Sequence, residues 1–186
     1  MKLLDNYNLS PEVQAYMRQH LVWQQLPKNT ILFSKGQTCN AVYFIESGIA
    51  RGFYDDKNGE DTTAWFVQSG DFVYSSYNIL NRLPASESVQ LLEASTVVSI
   101  PLITLDYIYT TYPETKEISN SIIEKHTQLL IDFTKVLRHQ TTDQRIRWFT
   151  EVYPTIYERV QKQHIASYLG MCREAVSHAL SAKHKK

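Results

Sequence analysis

The sequence at residues 162–181 is KQHIASYLGMCREAVSHALS, and its spacing predicts two short helices joined by a glycine turn. Ile165 and Leu169 lie four residues apart, so they share one helical face. Gly170 follows at the point where the chain must leave the first helix with a positive φ angle. This pattern indicates a helix-turn-helix, the unit whose second helix enters a DNA major groove.

The predicted second helix presents polar residues outward in a pattern suited to DNA. Arginine binds guanine bidentately and glutamate accepts from the cytosine amino group, so Arg173 and Glu174 are the candidates for base contacts. Ser177 and His178 share their face, and basic residues near the helices are candidates for phosphate contacts. These phosphate candidates are Lys162 and Lys183. Helical hairpins that bind nothing use the same glycine turn, so a purely structural hairpin stays open at this point.

Charge is divided along the chain, although the formal net charge is zero. Residues 1–115 carry 7 Lys and Arg against 12 Asp and Glu, and residues 116–186 carry 12 against 7. The basic half, which holds the helix-turn-helix, is therefore the half that attracts polyanions. Cys39 and Cys172 fit no zinc, haem or iron–sulfur spacing. With no signal peptide or membrane span in the sequence, we expect a cytoplasmic protein with two free thiols.

Short strands dominate residues 30–101. Six β-branched and aromatic segments are separated by turn signals about 11–12 residues apart, a spacing typical of an antiparallel β-roll of jelly-roll type. We expect a helix over residues 9–26 before the roll, with Ser10 as its N-cap and Pro11 in its first turn. The longer insertion at 72–86 is expected to contain one helical turn near residues 77–80 and to lie where a ligand binds.

One long helix is predicted from about Glu114 to Gln140, giving an α+β protein. Its heptad-like stripe is the candidate interface of a parallel homodimer, and a second stripe recurs every seven residues. The interface candidates are Ile122, His126, Leu129, Phe133 and Val136, and the second stripe is Ile123, Leu130 and Leu137. Burial of both stripes within one chain remains an alternative. The expected domains are a β-roll sensor at 1–113, a dimerisation helix at 114–140 and a helix-turn-helix domain at 141–186.

An acidic β-roll, a long helix and a C-terminal helix-turn-helix, in this order, resemble the Crp/Fnr family of bacterial transcription regulators. The resemblance rests on Gly48 after YFIES, on Gly70-Asp71, and on QKQHIASYLGMCREAVSHAL at 161–180. It implies a cyclic-nucleotide-binding-type domain, a winged DNA-binding domain, and double-stranded DNA and RNA polymerase as partners. Arg173 and Glu174 match the family's base-contacting pattern, whereas His178 stands where the family has an arginine.

Two departures from the family pattern matter. Family members that bind cyclic AMP have an Arg-Ser or Arg-Ala pair about a dozen residues after the glycine–acid pair, but residues 84–88 here are PASES. A buried phosphate needs an opposing cation, so we expect no binding of cyclic AMP and an effector of another kind or none. The candidate ligand residues are Gly70, Asp71, Arg82, Ser86, Glu87 and Ser88. The second departure is a wing that we expect to be truncated, since only residues 182–186 follow the second helix.

Other classes of function are disfavoured by the residues. A metalloenzyme of cupin type needs several histidines inside the β-roll, but residues 21–125 contain none. The sequence also contains no P-loop, dinucleotide glycine motif or Ser-His-Asp ordering. We therefore expect neither an enzyme nor a bound metal or cofactor. The alternative function is a ligand-sensing module that acts through a protein partner, with a degenerate DNA-binding half.

Overall fold

The computed structural model describes residues 2–5, 7, 9–57, 59–75 and 83–176. The expected α+β class is confirmed: antiparallel strands form a β-roll, and a long helix and smaller helices follow it. The strands are β1 Val22–Leu26, β2 Ile31–Phe33, β3 Ala41–Ser47, β4 Ile49–Asp55, β5 Asp61–Gln68, β6 Phe72–Val73, β7 Ser88–Leu91 and β8 Ser95–Pro101. The helices are α1 Lys2–Asp5, α2 Pro11–His20, α3 Leu102–Thr111, α4 Thr115–His139, α5 Thr142–Val152, α6 Pro154–Arg159 and α7 Lys162–Leu169.

The roll consists of two four-stranded sheets. Their strand orders are β1-β8-β3-β6 and β2-β7-β4-β5. One face of the first sheet packs against helices: Phe44 and Val98, which pair across β3 and β8, are fully buried in a cluster with side chains of α1, α2 and α3. Alternation along a strand sends successive side chains to opposite faces, so neighbouring residues such as Ile45 and Val97 are buried on the other face.

The chain divides into two compact units. The first comprises residues 1–54 and 66–123, and the second comprises residues 55–65 and 124–186. The tip of the β4–β5 hairpin thus belongs to the same unit as the C-terminal helices. The three-domain division expected from the sequence stays a prediction. No helix in the described part of the chain is both long and apolar enough to cross a membrane.

The N-terminal helix is shorter than the sequence predicted. It ends at His20, and its predicted N-cap is confirmed, since Ser10 Oγ accepts from the Val13 N–H at 3.4 Å. The extension to residue 26 is wrong. Residues 22–26 form the exposed edge strand β1, which pairs antiparallel with β8 along its whole length. Backbone pairing with β8 outweighs the helix preference of the glutamines in VWQQL, because propensity is weaker than tertiary context.

Four further elements were not predicted from the pattern. They are α1, β6, α3 and α6. Pro154, which follows the end of α5, occupies the first turn of α6, where proline costs no hydrogen bond. The predicted helical turn near residues 77–80 lies outside the described residues. The long helix runs from Thr115 to His139, within one residue of its predicted ends.

Gly48, one of the residues that carry the family resemblance, is required by its surroundings. Its φ angle is +122°, a conformation that L side chains rarely adopt. A Cβ added there would lie 2.0 Å from Ser95 Oγ and 2.5 Å from Ser95 Cβ. The turn between β3 and β4 therefore closes only with glycine at this position.

Replacing this glycine tests the contact. We expect Gly48→Ala to lower the free energy of unfolding by about 2–4 kcal/mol, because strain at positive φ adds to overpacking. Gly36→Ala is the matched control: its φ is +85° but nothing lies within 4 Å of its added Cβ, so it should cost about 1 kcal/mol. Denaturant unfolding measures both variants. Equal losses would show that the Ser95 contact is not the cause.

Candidate functional site

The predicted helix–turn–helix geometry begins as the sequence indicated. Helix α7 buries Ile165, Ala166 and Leu169 and ends at Gly170, whose φ of 63° and ψ of 44° are left-handed. The Gly170 N–H donates to the Ser167 carbonyl at 3.2 Å, and the Met171 N–H donates to the Ala166 carbonyl at 3.0 Å. These two bonds satisfy carbonyls at the end of α7. The predicted positive φ at Gly170 is confirmed.

A second helical stretch begins immediately after the turn. Residues 173–176 are helical, with Val176 buried and with Arg173 and Glu174 both exposed. This pattern turns the apolar side of the stretch inward and leaves the guanidinium and the carboxylate at the surface. The remaining predicted members of this face, Ser177 and His178, lie outside the described residues, as does Lys183.

Lys162 is placed differently from a free phosphate ligand. Its ammonium lies 4.0 Å from the centroid of the Tyr157 ring and donates to the Tyr157 carbonyl. Burial lowers the pKa of this ammonium, an effect opposed in part by the nearby Glu158 carboxylate. Lys162 is thus half-buried at the start of α7, and its role at phosphates stays a prediction.

A cluster of aromatic side chains packs between α7, α4 and α5. The Tyr168 ring stacks on Phe133 of α4 with centroids 4.1 Å apart and an interplanar angle of 6°. Phe133 also stacks on Trp148, and Tyr168 meets Phe149 edge-on at 5.7 Å. Burial, together with the neighbouring Tyr153, raises the pKa of Tyr168. The packing of these aromatic rings therefore holds α7 against the C-terminal half of the long helix.

The same packing buries part of the predicted dimer stripe within the single chain. Phe133 and Val136 are only 9% and 4% exposed within the single chain, so at these two positions the chain's own helices cover the stripe. Ile122, His126 and Leu129 are half-buried. Apolar residues of α4 outside this stripe are exposed, with Leu130 at 63% exposure and Ile123 and Ile131 also exposed. The dimer interface itself stays a prediction.

Arg145 ties the end of the long helix to the end of α7. Its Nη2 donates to the Leu137 carbonyl at 2.7 Å, its Nε to the Gln140 carbonyl at 3.1 Å, and its Nη1 to the Leu169 carbonyl at 3.2 Å. The C-terminal carbonyls of a helix carry partial negative charge and lack intrahelical donors. A single guanidinium therefore satisfies carbonyls at the ends of α4 and α7 and keeps these two helix ends close together.

The tip of the β4–β5 hairpin contacts the helix-turn-helix within the same unit. The Thr63 N–H donates to Ser167 Oγ of α7 at 2.9 Å. An open cleft lies beside this contact, lined by Glu60 and Asp61 of the hairpin and by residues of the turn that include Cys172 and Arg173. Two acidic side chains thus share a cleft with the candidate base-contacting arginine.

The predicted ligand residues that the structure describes make their hydrogen bonds to different segments of the chain. Gly70 and Asp71 make a turn against β3, where the Gly70 N–H donates to the Ile45 carbonyl at 2.8 Å and the Asp71 carbonyl accepts from the Ile45 N–H at 3.0 Å. Ser86 Oγ donates to the Glu87 carboxylate, and Ser88 Oγ accepts from the Lys35 N–H at 2.9 Å. The pKa of the Cys39 thiol is raised, mainly by burial and to a smaller extent by the negative charge of Glu87. Arg82 lies outside the described residues.

A buried cation was missed by the sequence reasoning. Arg51 on β4 is 2% exposed, and its Nε and Nη2 donate to Gln90 Oε1 on β7 at 3.1 and 3.0 Å. Its guanidinium also lies 4.5 Å from the centroid of the Phe53 ring. The signal was present in IARGFY, where an arginine stands between small residues of a strand that is otherwise apolar. Its partner Gln90 lies opposite Arg51 on the neighbouring strand, 39 residues away in sequence.

No metal site is found among the residues that the structure describes. In the described part of the chain, no three His, Cys, Asp or Glu side chains gather closely enough to hold an ion. Cys39 is buried and Cys172 is exposed, and both are free thiols as predicted.

Comparison with known proteins agrees with this architecture. Residues 23–112 match the cyclic nucleotide-binding domain family. The anaerobic regulatory protein of Haemophilus influenzae is 22% identical over 170 residues, covering 83% of this chain and 64% of that protein. FixK2 from Bradyrhizobium japonicum superposes with a TM-score of 0.76 at 16% identity, covering 89% of this chain and 85% of that one. A regulator of the Crp/Fnr family from Eubacterium rectale superposes at 0.75 with 17% identity, covering 94% and 83%.

The chain is therefore similar to regulators of the Crp/Fnr family in sequence and in fold. The resemblance drawn from Gly48, Gly70-Asp71 and the C-terminal helices is thereby confirmed. The match spans less than two thirds of the length of the Haemophilus influenzae relative. That relative and the Eubacterium rectale protein are named as regulators, in agreement with the expectation of a regulator and not an enzyme.

Arg145 gives the first test of how this protein holds its helix-turn-helix. We expect Arg145→Met to lower the free energy of unfolding by about 2–3 kcal/mol, because hydrogen bonds from a charged donor are lost while the carbonyls stay partly buried. Arg147→Met, an exposed arginine on the same helix, should change it by less than about 0.5 kcal/mol. Thermal or denaturant unfolding measures both. Similar values for the two variants would contradict the bridging role of Arg145.

Proposed function

We propose that this protein is a cytoplasmic DNA-binding transcriptional regulator that recognises a palindromic site as a homodimer. The observation that carries the proposal is the exposed Arg173–Glu174 pair at the start of the helical stretch behind α7 and Gly170. In a helix-turn-helix, residues near the N-terminus of the second helix meet base edges in the major groove. Arginine and glutamate there suit a G·C pair, because arginine donates hydrogen bonds to guanine and glutamate accepts one from the cytosine amino group.

The homodimer is supported by the long helix. Helix α4 has 25 residues, and its exposed side carries Ile123, Leu130 and Ile131, apolar surface that a second copy would remove from water. In a parallel pair, two helix-turn-helix units related by a two-fold axis lie about one DNA turn, roughly 34 Å, apart. Each unit then contacts one half of a palindrome. RNA polymerase is the further partner that the family implies, and the proposed domains are 1–113, 114–140 and 141–186.

The sensor half is proposed not to bind cyclic AMP. Residues 84–88 offer no cation to a cyclic phosphate, and the buried Arg51 already donates to Gln90 and lies over Phe53. A phosphate entering the roll would have to break those contacts. Cyclic AMP is therefore expected to leave both melting temperature and DNA affinity unchanged, and binding that disappears in Arg51→Gln would refute this part of the proposal.

Two variants test the DNA-binding face. Arg173→Ala should weaken binding to the best inverted-repeat site by about 1–3 kcal/mol and relax preference at one base pair, because a base contact is lost. Arg147→Ala removes the same charge from the second unit without a base contact, so it should leave sequence preference intact. Competition gel shifts against matched and singly substituted sites measure the preference. An unchanged preference in Arg173→Ala would overturn the assignment.

Cys172 offers a second test that leaves the sequence unaltered. It is exposed beside Arg173, whereas Cys39 is buried and its pKa is raised. Bound DNA should protect Cys172 from alkylation by a maleimide, because the duplex covers the turn, and prior alkylation should abolish binding. If no DNA from an inverted-repeat pool binds at low salt or protects this thiol, the module acting through a protein partner becomes the better account.

The hairpin cleft predicts an electrostatic effect on the same face. Glu60 and Asp61 share the cleft with Arg173, so their charges oppose an approaching phosphate backbone. The double variant Glu60→Gln, Asp61→Asn should raise DNA affinity about two- to fivefold at low salt, with the gain shrinking as salt screens it. Glu12→Gln with Asp106→Asn removes equal charge from exposed positions of the first unit and should have no such effect. Equal gains in both double variants would contradict a role for the cleft.

A further inference from the structure

A second cavity lies in the first unit, away from the predicted ligand residues. It has a volume of about 110 Å³ and lies between the helix-covered face of the β1-β8-β3-β6 sheet and the helices α1, α2, α3 and the first turns of α4. Val13 contributes to its wall from α2, Ile100 from β8, Ile108 from α3, and Ile118 and Ile122 from α4. Neither Gly70 nor Asp71, Ser86, Glu87 or Ser88 lines it.

The wall of this cavity is apolar. None of its described lining residues carries a charge, and the polar side chains among them all carry hydroxyl groups. Tyr109 Oη and Ser119 Oγ are hydrogen-bonded to each other at 2.7 Å. Tyr7 and Tyr74 also line the space, and burial raises the pKa of each, with the Asp71 charge adding to the effect at Tyr7. These phenols therefore stay protonated and uncharged at neutral pH.

Size and polarity together define what fits. A dry apolar cavity of about 150 Å³ takes a benzene-sized molecule, and this cavity of about 110 Å³ also opens to solvent on one side. An anion such as a nucleotide phosphate would enter without a single opposing cation, which is strongly unfavourable. A neutral molecule of about one aromatic ring meets only favourable contacts, as expected for small-molecule sites that combine apolar walls with a few polar groups.

The position of the cavity connects it to the long helix. Phe72, which follows the Gly70-Asp71 turn, forms one wall, and Ile118 and Ile122 at the beginning of α4 form another. Helix α4 continues to His139, whose neighbours Leu137 and Gln140 are held by Arg145. An occupant that packs differently against two positions of α4 would shift the equilibrium between them.

We propose that this cavity binds a small, neutral, mainly apolar molecule about the size of one aromatic ring, and that this molecule is the effector of the sensor half. Binding itself is independent of the proposed DNA function, and only its regulatory consequence rests on that function. The two are separated experimentally because occupancy is measured on the full chain without DNA.

Toluene is the probe for occupancy, with benzoate as its charged counterpart. We expect toluene at about tenfold excess over its Kd to raise the melting temperature by about 3–6 °C, and benzoate at the same concentration to have no effect. In a spectrum of isoleucine δ1 methyl groups, toluene should shift the signals of Ile100, Ile108, Ile118, Ile122 and Ile123. Signals of Ile31, Ile103, Ile146 and Ile156, which do not line the cavity, should stay in place.

Ile118→Phe should fill the cavity and abolish the toluene shifts, whereas Ile103→Phe, at a position of α3 that is 79% exposed and does not line the cavity, should retain them. If Ile118→Phe folds poorly, the toluene-induced shifts of the wild-type isoleucine methyl groups still test the proposal. The proposal is overturned if the lining methyls do not respond to toluene, if benzoate binds equally well, or if their signals change on dilution instead, which would mean that a second copy fills the space. Loss of DNA binding with intact toluene binding would reject only the regulatory function.

Discussion

The second unit depends on one guanidinium. Arg145 projects from α5 and donates to carbonyls at the ends of two other helices, Leu137 and Gln140 at the end of α4 and Leu169 at the end of α7. Helix ends that converge would otherwise leave acceptors without donors in a half-buried place, which is costly. Because the three bonds share one rigid planar group, the candidate DNA-binding turn at Gly170 is held at a fixed distance from the long helix.

The aromatic stack beneath α7 works with this guanidinium. Tyr168 and Phe133 lie nearly parallel, so α7 is fixed by ring contact on one side and by Arg145 at its end. The Thr63–Ser167 hydrogen bond adds a third attachment, from the hairpin that connects β4 and β5. Strands of the roll are thus covalently continuous with a tip that touches the candidate DNA-binding helix.

Much of the architecture could be predicted from local signals. Gly170, the strand segments between residues 31 and 100, and the long helix were all predicted because glycine at positive φ, β-branched runs and heptad spacing act locally. The failures have a tertiary cause. Residues 22–26 became a strand because β8 was there to pair with, and Phe133 and Val136 were covered by α5 and α7, which an apolar stripe alone cannot reveal.

The candidate site shows the same division. Arg173 and Glu174 were found because exposed polar residues behind a glycine turn form a local pattern, and both are exposed. Nothing in the sequence distinguishes Arg145 from Arg147 two residues later, because their difference lies in which carbonyls each can reach. Likewise, Thr63 and Ser167 are separated by 104 residues, so no local pattern relates them. Arg51 could have been noticed in its strand, but its partner Gln90 is known only from the register of β4 and β7.

The length of α4 has a mechanical consequence. At 25 residues it is a rod of about 37 Å, since each residue adds about 1.5 Å. Tilting such a rod by about 5° around its first turn carries its far end sideways by about 3 Å, close to the rise of one base pair in DNA. In the proposed DNA-binding regulator, an adjustment of less than 1 Å near Ile118 would by leverage alone correspond to a displacement of about 3 Å at the far end of such a rod.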